Sequence, residues 1–470
     1  MLLVHPELVL HGKLPYRDFD EVYGPANLWL LGGVYAFFEP AIPVERAVGL
    51  LYRVAILVAI FGLVQRWGTS LAMGCTLLAA VLLVGTGLPA FAWMGGMACA
   101  LTSFWIMAGG TSRCRMLSGG LLLGAGLLFR PDLAPAVLLA SLPLLLPLGW
   151  NKRFTFALGG AIALGPLAGL ALAAGLQQTF DSLFLFPALH SARHLSLSSV
   201  EPFVVRAFFL HLVAVALNLS CAAIALRAQP GSRQNQVLLA ITLFAAGITH
   251  QAFQRLDPAH LRFAAFLSIG MLPLALSMLM RRLNPRFPCF HSTAGSVAAV
   301  VALLCAACFP ITTYFVNAIA RTLQTEDMTL PSVEIGGRSF RTPTTEYARA
   351  LQALLSELDG VSVAGERLFV GPADLRRTNY CDTFIYYLIP KLEPASYFMV
   401  MNPLSANRPG SRLAADIQTA DWLVLNKAWD DAQEPNRSSE YGSAKPNHVV
   451  QENFRLIGAY GSYSLFRRKS

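Results

Sequence analysis

Near the start of the chain, HGKLPYRDFDEVYGP brings Arg17, Asp18, Asp20, Glu21 and Tyr23 into one short polar stretch. Asp18, Asp20 and Glu21 are candidate general bases, since a carboxylate within hydrogen-bond reach of a hydroxyl can take its proton in a transfer step. Two more polar clusters break otherwise apolar sequence: Arg130-Pro131-Asp132, and HQAFQRLDPAH, which carries Arg255, Asp257 and His260. Arg53 stands alone within an apolar block. The planar guanidinium fork matches phosphate oxygens, so Arg130, Arg255 and Arg53 are candidates to hold a phosphate, with Arg17, Tyr23, Asp132, Asp257 and His260 beside them. His211 and His250 read as satisfied polar residues of a helix bundle. The chemistry this set supports is transfer from a phosphate-linked donor to a hydroxyl.

These side chains must be positioned by apolar elements. The chain of 470 residues is 55% hydrophobic and 13% charged, with a mean hydropathy of +0.51. A soluble domain carries roughly a quarter charged residues. The apolar residues also fall in blocks of the length that reads as transmembrane helix. Expected spans run near 47–65, 69–86, 89–109, 116–129, 134–149, 154–176, 204–226, 236–252, 261–280 and 293–316. The segment 25–38 is short and reads as a helix lying on the membrane surface. The pair 116–129 and 134–149 is short as well, and suggests two half-helices around a polar break. The fold class is an all-α polytopic bundle of about ten spans with a small C-terminal α/β domain.

Loop charge sets the topology. Arg66, Arg113, Arg115, Lys152, Arg153, Arg227, Arg233, Arg281, Arg282 and Arg286 fall in alternate loops, which the positive-inside rule assigns to the cytoplasm. The N-terminal polar stretch, the Arg130 break, the Arg255 loop and the tail then share the outer side. Intramembrane ionisable residues are costly and mark functional sites, and three clusters distant in sequence fall on that one side. The net charge of +9 belongs to this topology and does not point to nucleic acid.

The chain divides into an outer loop with a surface helix (1–45), a helical bundle (46–318) and a soluble outer domain (319–470). In the last, RLFVGP and ADWLVLN read as strands, TEYARALQALLSEL as a helix, and FRLIGAYGSYSLFRR as a hairpin around Gly458 and Gly461. Of the eight cysteines, Cys305 and Cys308 stand at CxxC spacing but inside an apolar block, and with Cys75, Cys99 and Cys221 they read as small core residues; Cys381 is alone in the tail. Asn436-Arg437-Ser438 matches a glycosylation sequon by chance.

GxxPYRDF followed by YGP and an aromatic apolar helix resembles the first outer loop of bacterial GT-C fold glycosyltransferases, the superfamily of dolichyl-phosphate mannosyltransferases and aminoarabinose transferases. GLLFRPDLA and FQRLDPAHL are similar to outer-face segments of such proteins, and the resemblance covers about residues 5–320. It implies a multi-pass enzyme of the plasma (inner) membrane. Such an enzyme moves a sugar from a polyprenyl-phosphate donor to an extracytoplasmic glycan, lipid or protein acceptor. In that family a first transmembrane helix and the usual catalytic acid precede the PY motif; here that position falls at or before Met1. The expectation is a chain shortened at its start, or one without the usual base. The alternative is a non-catalytic relative that binds lipid-linked glycan or an envelope partner. A secondary transporter would show inverted repeats, which the spans lack. No cofactor is implied. A divalent metal ion on the loop carboxylates is compatible with the chemistry, though no ligand spacing supports one.

Overall fold

The computed structural model describes residues 1–185, 200–283, 300, 330–378, 380–401, 405–408, 410–432 and 442–469. Of the expected span at 293–316 only residue 300 is among them; Arg286, Cys305, Cys308 and the Asn436 sequon lie outside.

The N-terminal helices are α1 (Val4–Leu10) and α2 (Ala26–Tyr35). The bundle continues as α3 (Ile42–Val64), α4 (Thr69–Val84), α5 (Ala92–Ala108), α6 (Arg113–Phe129), α7 (Ala134–Leu145), α8 (Trp150–Ala174) and α9 (Leu176–Phe180). Then come α10 (Pro202–Ala228), α11 (Arg233–Gly247), α12 (His250–Gln254), α13 (Pro258–Gly270) and α14 (Leu272–Leu283). Among the described residues five helical stretches are long and apolar enough to cross a membrane: Ile42–Trp67, Trp150–Ala174, Pro202–Ala228, Arg233–Gln254 and Pro258–Arg282. The chain is therefore a multi-pass membrane protein. The ten residues of α2 reach only about 15 Å, and α2 packs on α1 with Leu28, Leu31 and Tyr35 buried.

Hydrogen bonds sort the loops into two ends. At one end Arg233 reaches the carbonyls of Leu144 and Met107, Gln234 reaches that of Arg66, and Lys152 donates to Thr111. These are the basic loops. At the other end Asn27 donates to the Ala90 carbonyl, the Gly24 N–H to that of Phe129, Arg262 to that of Gly85, and Gln251 to Asp132.

The expected pair of half-helices is corrected by this arrangement. Helix α6 starts beside the basic end, capped by Ser112, and ends at Arg130 on the opposite end, from which α7 returns. The polar break thus lies at the end of a helical hairpin and not at mid-depth. Small residues let α6 meet α8 closely: a Cβ at Gly120 would stand 2.0 Å from the Phe156 carbonyl oxygen, and one at Gly159 2.3 Å from that of Leu117.

The C-terminal domain is α/β. A sheet in the order β4 (Glu393–Pro394), β3 (Arg367–Pro372), β5 (Trp422–Asn426), β7 (Tyr463–Arg468), β6 (Phe454–Tyr460) is parallel on the β3 side and antiparallel on the β7 side. The strands β1 (Ser332–Ile335) and β2 (Arg338–Arg341) form a separate hairpin, and the helices are α15 (Thr345–Val361), α16 (Phe384–Leu388), α17 (Leu413–Gln418) and α18 (Lys445–Asn453). Central β5 is buried at every position, as its uninterrupted WLVLN requires. The expected hairpin forms with Gly461 at φ 62° in its turn, while Gly458 borders an irregularity in β6. The domain core also contains Val4, Phe19 and Leu28 from the N-terminal segment, so that segment is a seam between bundle and tail.

Candidate functional site

The PYRDF loop is closed on itself. The Leu14 N–H donates to Asp18 Oδ2 at 2.7 Å, the Asp18 N–H to the Leu14 carbonyl at 2.9 Å, and the Tyr16 N–H to that of Phe19 at 3.0 Å. Tyr16 is held at φ 69°, a strained conformation for an aromatic residue, and is fully buried with its hydroxyl on the Tyr23 carbonyl. The loop is fastened on both sides. The Asp20 N–H donates to the Tyr397 carbonyl, the Tyr397 hydroxyl to the Tyr16 carbonyl, and Gly24 approaches so closely that a Cβ would lie 1.9 Å from the Leu128 carbonyl oxygen. Arg17, exposed, bonds the Asp18 carboxylate at 2.9 Å and holds it below the ordinary carboxylate range.

Behind this loop, between the helix ends and the tail, lies a cavity of about 790 Å³. Glu21, Tyr23, Arg130, Asp132, Arg255 and His260 all line it. Three sequence clusters therefore meet at one place. Arg17, Asp18, Asp20, Arg53 and Asp257 do not line it.

Arg130 follows the last turn of α6, where Pro131 ends the helix. Its Nε and Nη2 bond the two oxygens of Asp132 at 2.7 and 2.5 Å, and its guanidinium lies 4.7 Å from the Tyr23 ring centre and 5.0 Å from that of Trp93. Two aromatic faces thus fix the plane of the cation. Two of its five N–H groups bond Asp132, and the guanidinium lines the cavity. Asp132 Oδ2 also accepts from Gln251 at 3.0 Å and lies 3.3 Å from His250 Nε2. His250 and Gln251 come from α12, so the carboxylate ties the α6–α7 turn to that helix.

Asp257 organises the third cluster from outside the cavity. One oxygen caps α13 by accepting from the Ala259 and His260 N–H groups at 2.8 and 2.9 Å. The other meets Arg255 at 2.6 Å and His260 Nδ1 at 2.8 Å. Burial pushes this carboxyl up, but His260 and Arg255 outweigh it and hold it down to about 2.

Glu21 is buried. Its Oε1 accepts the Val22 and Tyr23 N–H groups, each at 3.1 Å, and its Oε2 lies 3.0 Å from His5 Nδ1. His5 is 1% exposed, and burial lowers its pKa. The ring is therefore neutral near pH 7, and with its proton on Nδ1 it donates to Glu21 Oε2. The free lone pairs of Oε2 can still accept from a hydroxyl.

The sequence reading missed Glu45 and Arg46, which line the cavity from the first turn of α3. Glu45 accepts the Ala90 N–H at 2.5 Å and pairs with Arg46. An adjacent acid–base pair at the outer end of an apolar block was the available signal. Arg53, two turns further along α3, instead binds the carbonyls of Gly49 and Pro89 and the Thr86 hydroxyl at 2.7, 3.1 and 3.1 Å, and so braces the α4–α5 turn that closes one wall. Four tail residues, Phe340, Tyr380, Phe384 and Tyr387, complete the lining.

Among the described residues no three His, Cys, Asp or Glu side chains are grouped so as to hold a metal ion. Asp132, Asp257 and Glu21 each already have partners, Arg130 for the first, Arg255 and His260 for the second, and His5 with backbone N–H groups for the third. Among the described residues this donor set does not fit a divalent cation.

No protein-family model and no curated protein matches the chain. Among solved structures it is similar to the oligosaccharyltransferase of Archaeoglobus fulgidus, crystallised as a complex with zinc and sulfate. That similarity covers 99% of this chain and 68% of the other, at a TM-score of 0.45 and 11% sequence identity.

Proposed function

We propose that the protein is a GT-C-like membrane glycosyltransferase that takes a sugar from a polyprenyl-phosphate donor and passes it to an extracytoplasmic acceptor in the cell envelope. The observation that carries this reading is the meeting of Glu21, Arg130 and Arg255 around one cavity at the end of the bundle away from the basic loops. In this reading the isoprenoid lies among the helices and the phosphate rests against Arg130 and Arg255, with His260 beside it. An acceptor hydroxyl hydrogen-bonded to Glu21 gives its proton to that carboxylate as its oxygen bonds to the anomeric carbon. The bond from that carbon to the phosphate oxygen breaks on the opposite face, and polyprenyl phosphate departs with the electron pair. One base suffices for an inverting transfer, because the leaving phosphate is stable as an anion. Of the three loop carboxylates expected to serve as base, Glu21 is the one with access to this cavity. Asp18 and Asp20 take the role of shaping the loop. In this reading the cavity and tail face away from the cytoplasm, which the positive-inside rule supports.

The test is release of polyprenyl phosphate from radiolabelled polyprenyl-phosphate hexoses and pentoses by the full chain in nanodiscs, with envelope lipid and glycan extracts as acceptors. The expected result is time-dependent release that Glu21→Gln abolishes. One observation favours the alternative of a lipid-linked-glycan binder: every carboxylate of the site already has a cationic or N–H partner. Saturable donor binding without release from any donor would decide for it.

A further inference from the structure

The residues that the C-terminal domain contributes to the cavity are all aromatic: Phe340, Tyr380, Phe384 and Tyr387. Resting on the glycosyltransferase reading, we propose that these four side chains form a platform for the sugar ring of a carbohydrate acceptor, so that the soluble domain supplies the acceptor subsite. Each is positioned by something other than chance packing. Phe340 of β2 and Phe384 of α16 stack with ring centres 4.1 Å apart and planes 6° from parallel, which stiffens both. Tyr387 is pinned by Arg338, whose Nη1 donates to its carbonyl at 2.8 Å and whose guanidinium lies 4.9 Å from its ring centre. Arg338 is itself gripped by Glu7 of α1 through contacts of 3.1 and 2.5 Å.

Tyr380 carries the second, independent observation. Its backbone sits at φ 69°, held there by its N–H on the Met401 carbonyl at 2.9 Å. A non-glycine residue in this region costs of the order of 1 kcal/mol or more and persists where the surroundings enforce it, typically at ligand sites. The strain turns a tyrosine toward the cavity. Flat rings present negative faces to polarised C–H groups, and tyrosine adds a hydroxyl for hydrogen bonding; a pyranose offers C–H groups on its faces and hydroxyls at its rim. Place separates acceptor from donor. The donor enters from the bilayer among the helices, whereas the aromatic wall belongs to the domain that an acceptor meets first on its way in.

The experiment uses the full chain in nanodiscs, with saturation-transfer NMR against maltotriose, mannotriose and triacetylchitotriose. Undecaprenyl phosphate binding is measured on the same samples. The expected result is saturable binding of at least one trisaccharide. Phe384→Leu weakens it about 5-fold, Phe384→Tyr preserves it, and neither changes undecaprenyl phosphate binding. Tyr380→Phe against Tyr380→Leu repeats the comparison if Phe384→Leu fails to fold. The proposal falls if no trisaccharide binds, if leucine serves as well as tyrosine at 384, or if undecaprenyl phosphate binding is what the leucine variants lose. Aromatic-dependent trisaccharide binding without undecaprenyl phosphate binding would keep the platform and remove the donor reading.

Discussion

Glu21 Oε2 and His5 Nδ1 lie 3.0 Å apart in a buried seam between the first helix and the loop that follows it. Burial keeps His5 neutral, and Glu21 is the member of the pair that lines the cavity. Replacing Glu21 by Gln keeps an oxygen for the Val22 and Tyr23 N–H groups but removes the base. Turnover is expected to fall by about 100-fold or more, with undecaprenyl phosphate binding unchanged by titration. Loss of binding and turnover together would mean that Glu21 holds the loop and takes no proton.

The same pair sets a pH dependence. The His5 pKa is lowered from its ordinary 6.5 by burial, so the unfolded chain binds a proton that the folded chain refuses. Unfolding gains from that proton only below the unfolded pKa. Stability of the seam is thus complete above about pH 6.5 and declines as the solution is acidified. His5→Phe, which can keep the tilted ring contact that the histidine makes with Phe19 at 4.9 Å, should flatten the melting temperature between pH 7 and pH 5. An unchanged slope would assign the acid sensitivity elsewhere.

Arg130 and Asp132 should behave as one unit. Arg130→Ala leaves a half-buried carboxylate opposite His250 without its main cation, at a cost of about 3 kcal/mol. The double variant Arg130→Ala/Asp132→Ala should recover much of that loss, and the coupling is read from a thermal double-mutant cycle. Arg130→Lys keeps the charge but loses the fork and the fit between Tyr23 and Trp93. It should weaken undecaprenyl phosphate binding about 10-fold while melting close to wild type. Equal binding by lysine would show that charge alone suffices.

How far the sequence reveals this site depends on the range of the interactions. Apolar blocks and loop charge are local signals, and they placed Arg130, Arg255 and Glu21 at one end of the bundle before any coordinates. Hydrogen bonds from side chain to backbone leave no periodic trace. Asp18 therefore read as a candidate base when its carboxylate closes the loop on the Leu14 N–H, and Arg53 as a phosphate ligand when it braces carbonyls. Glu45 and Arg46 stand directly before the expected span at 47–65, where a charged pair reads as an ordinary flank of a helix. The short blocks 116–129 and 134–149 read as half-helices, because block length alone does not show that α6 and α7 form a hairpin between the two ends of the bundle. The aromatic wall depends on contacts between opposite ends of the chain, which no local pattern encodes.

The longest of those contacts supplies the last prediction. Glu7 and Arg338 are separated by 331 residues and joined by two hydrogen bonds, with both side chains less than one-fifth exposed. Breaking the pair frees the tail to shift on α1 and carries Tyr387 with it. Glu7→Gln and Arg338→Gln should each lower the melting temperature, with a coupling of about 1–2 kcal/mol in the double-mutant cycle. Their effect on turnover should appear as a raised KM for acceptor at nearly constant KM for donor. The charge-swapped double variant Glu7→Arg/Arg338→Glu tests whether attraction or shape matters. Restored acceptor affinity in the swap means the ion pair positions the tail, while continued loss means that Arg338 is needed for its contacts with Tyr387.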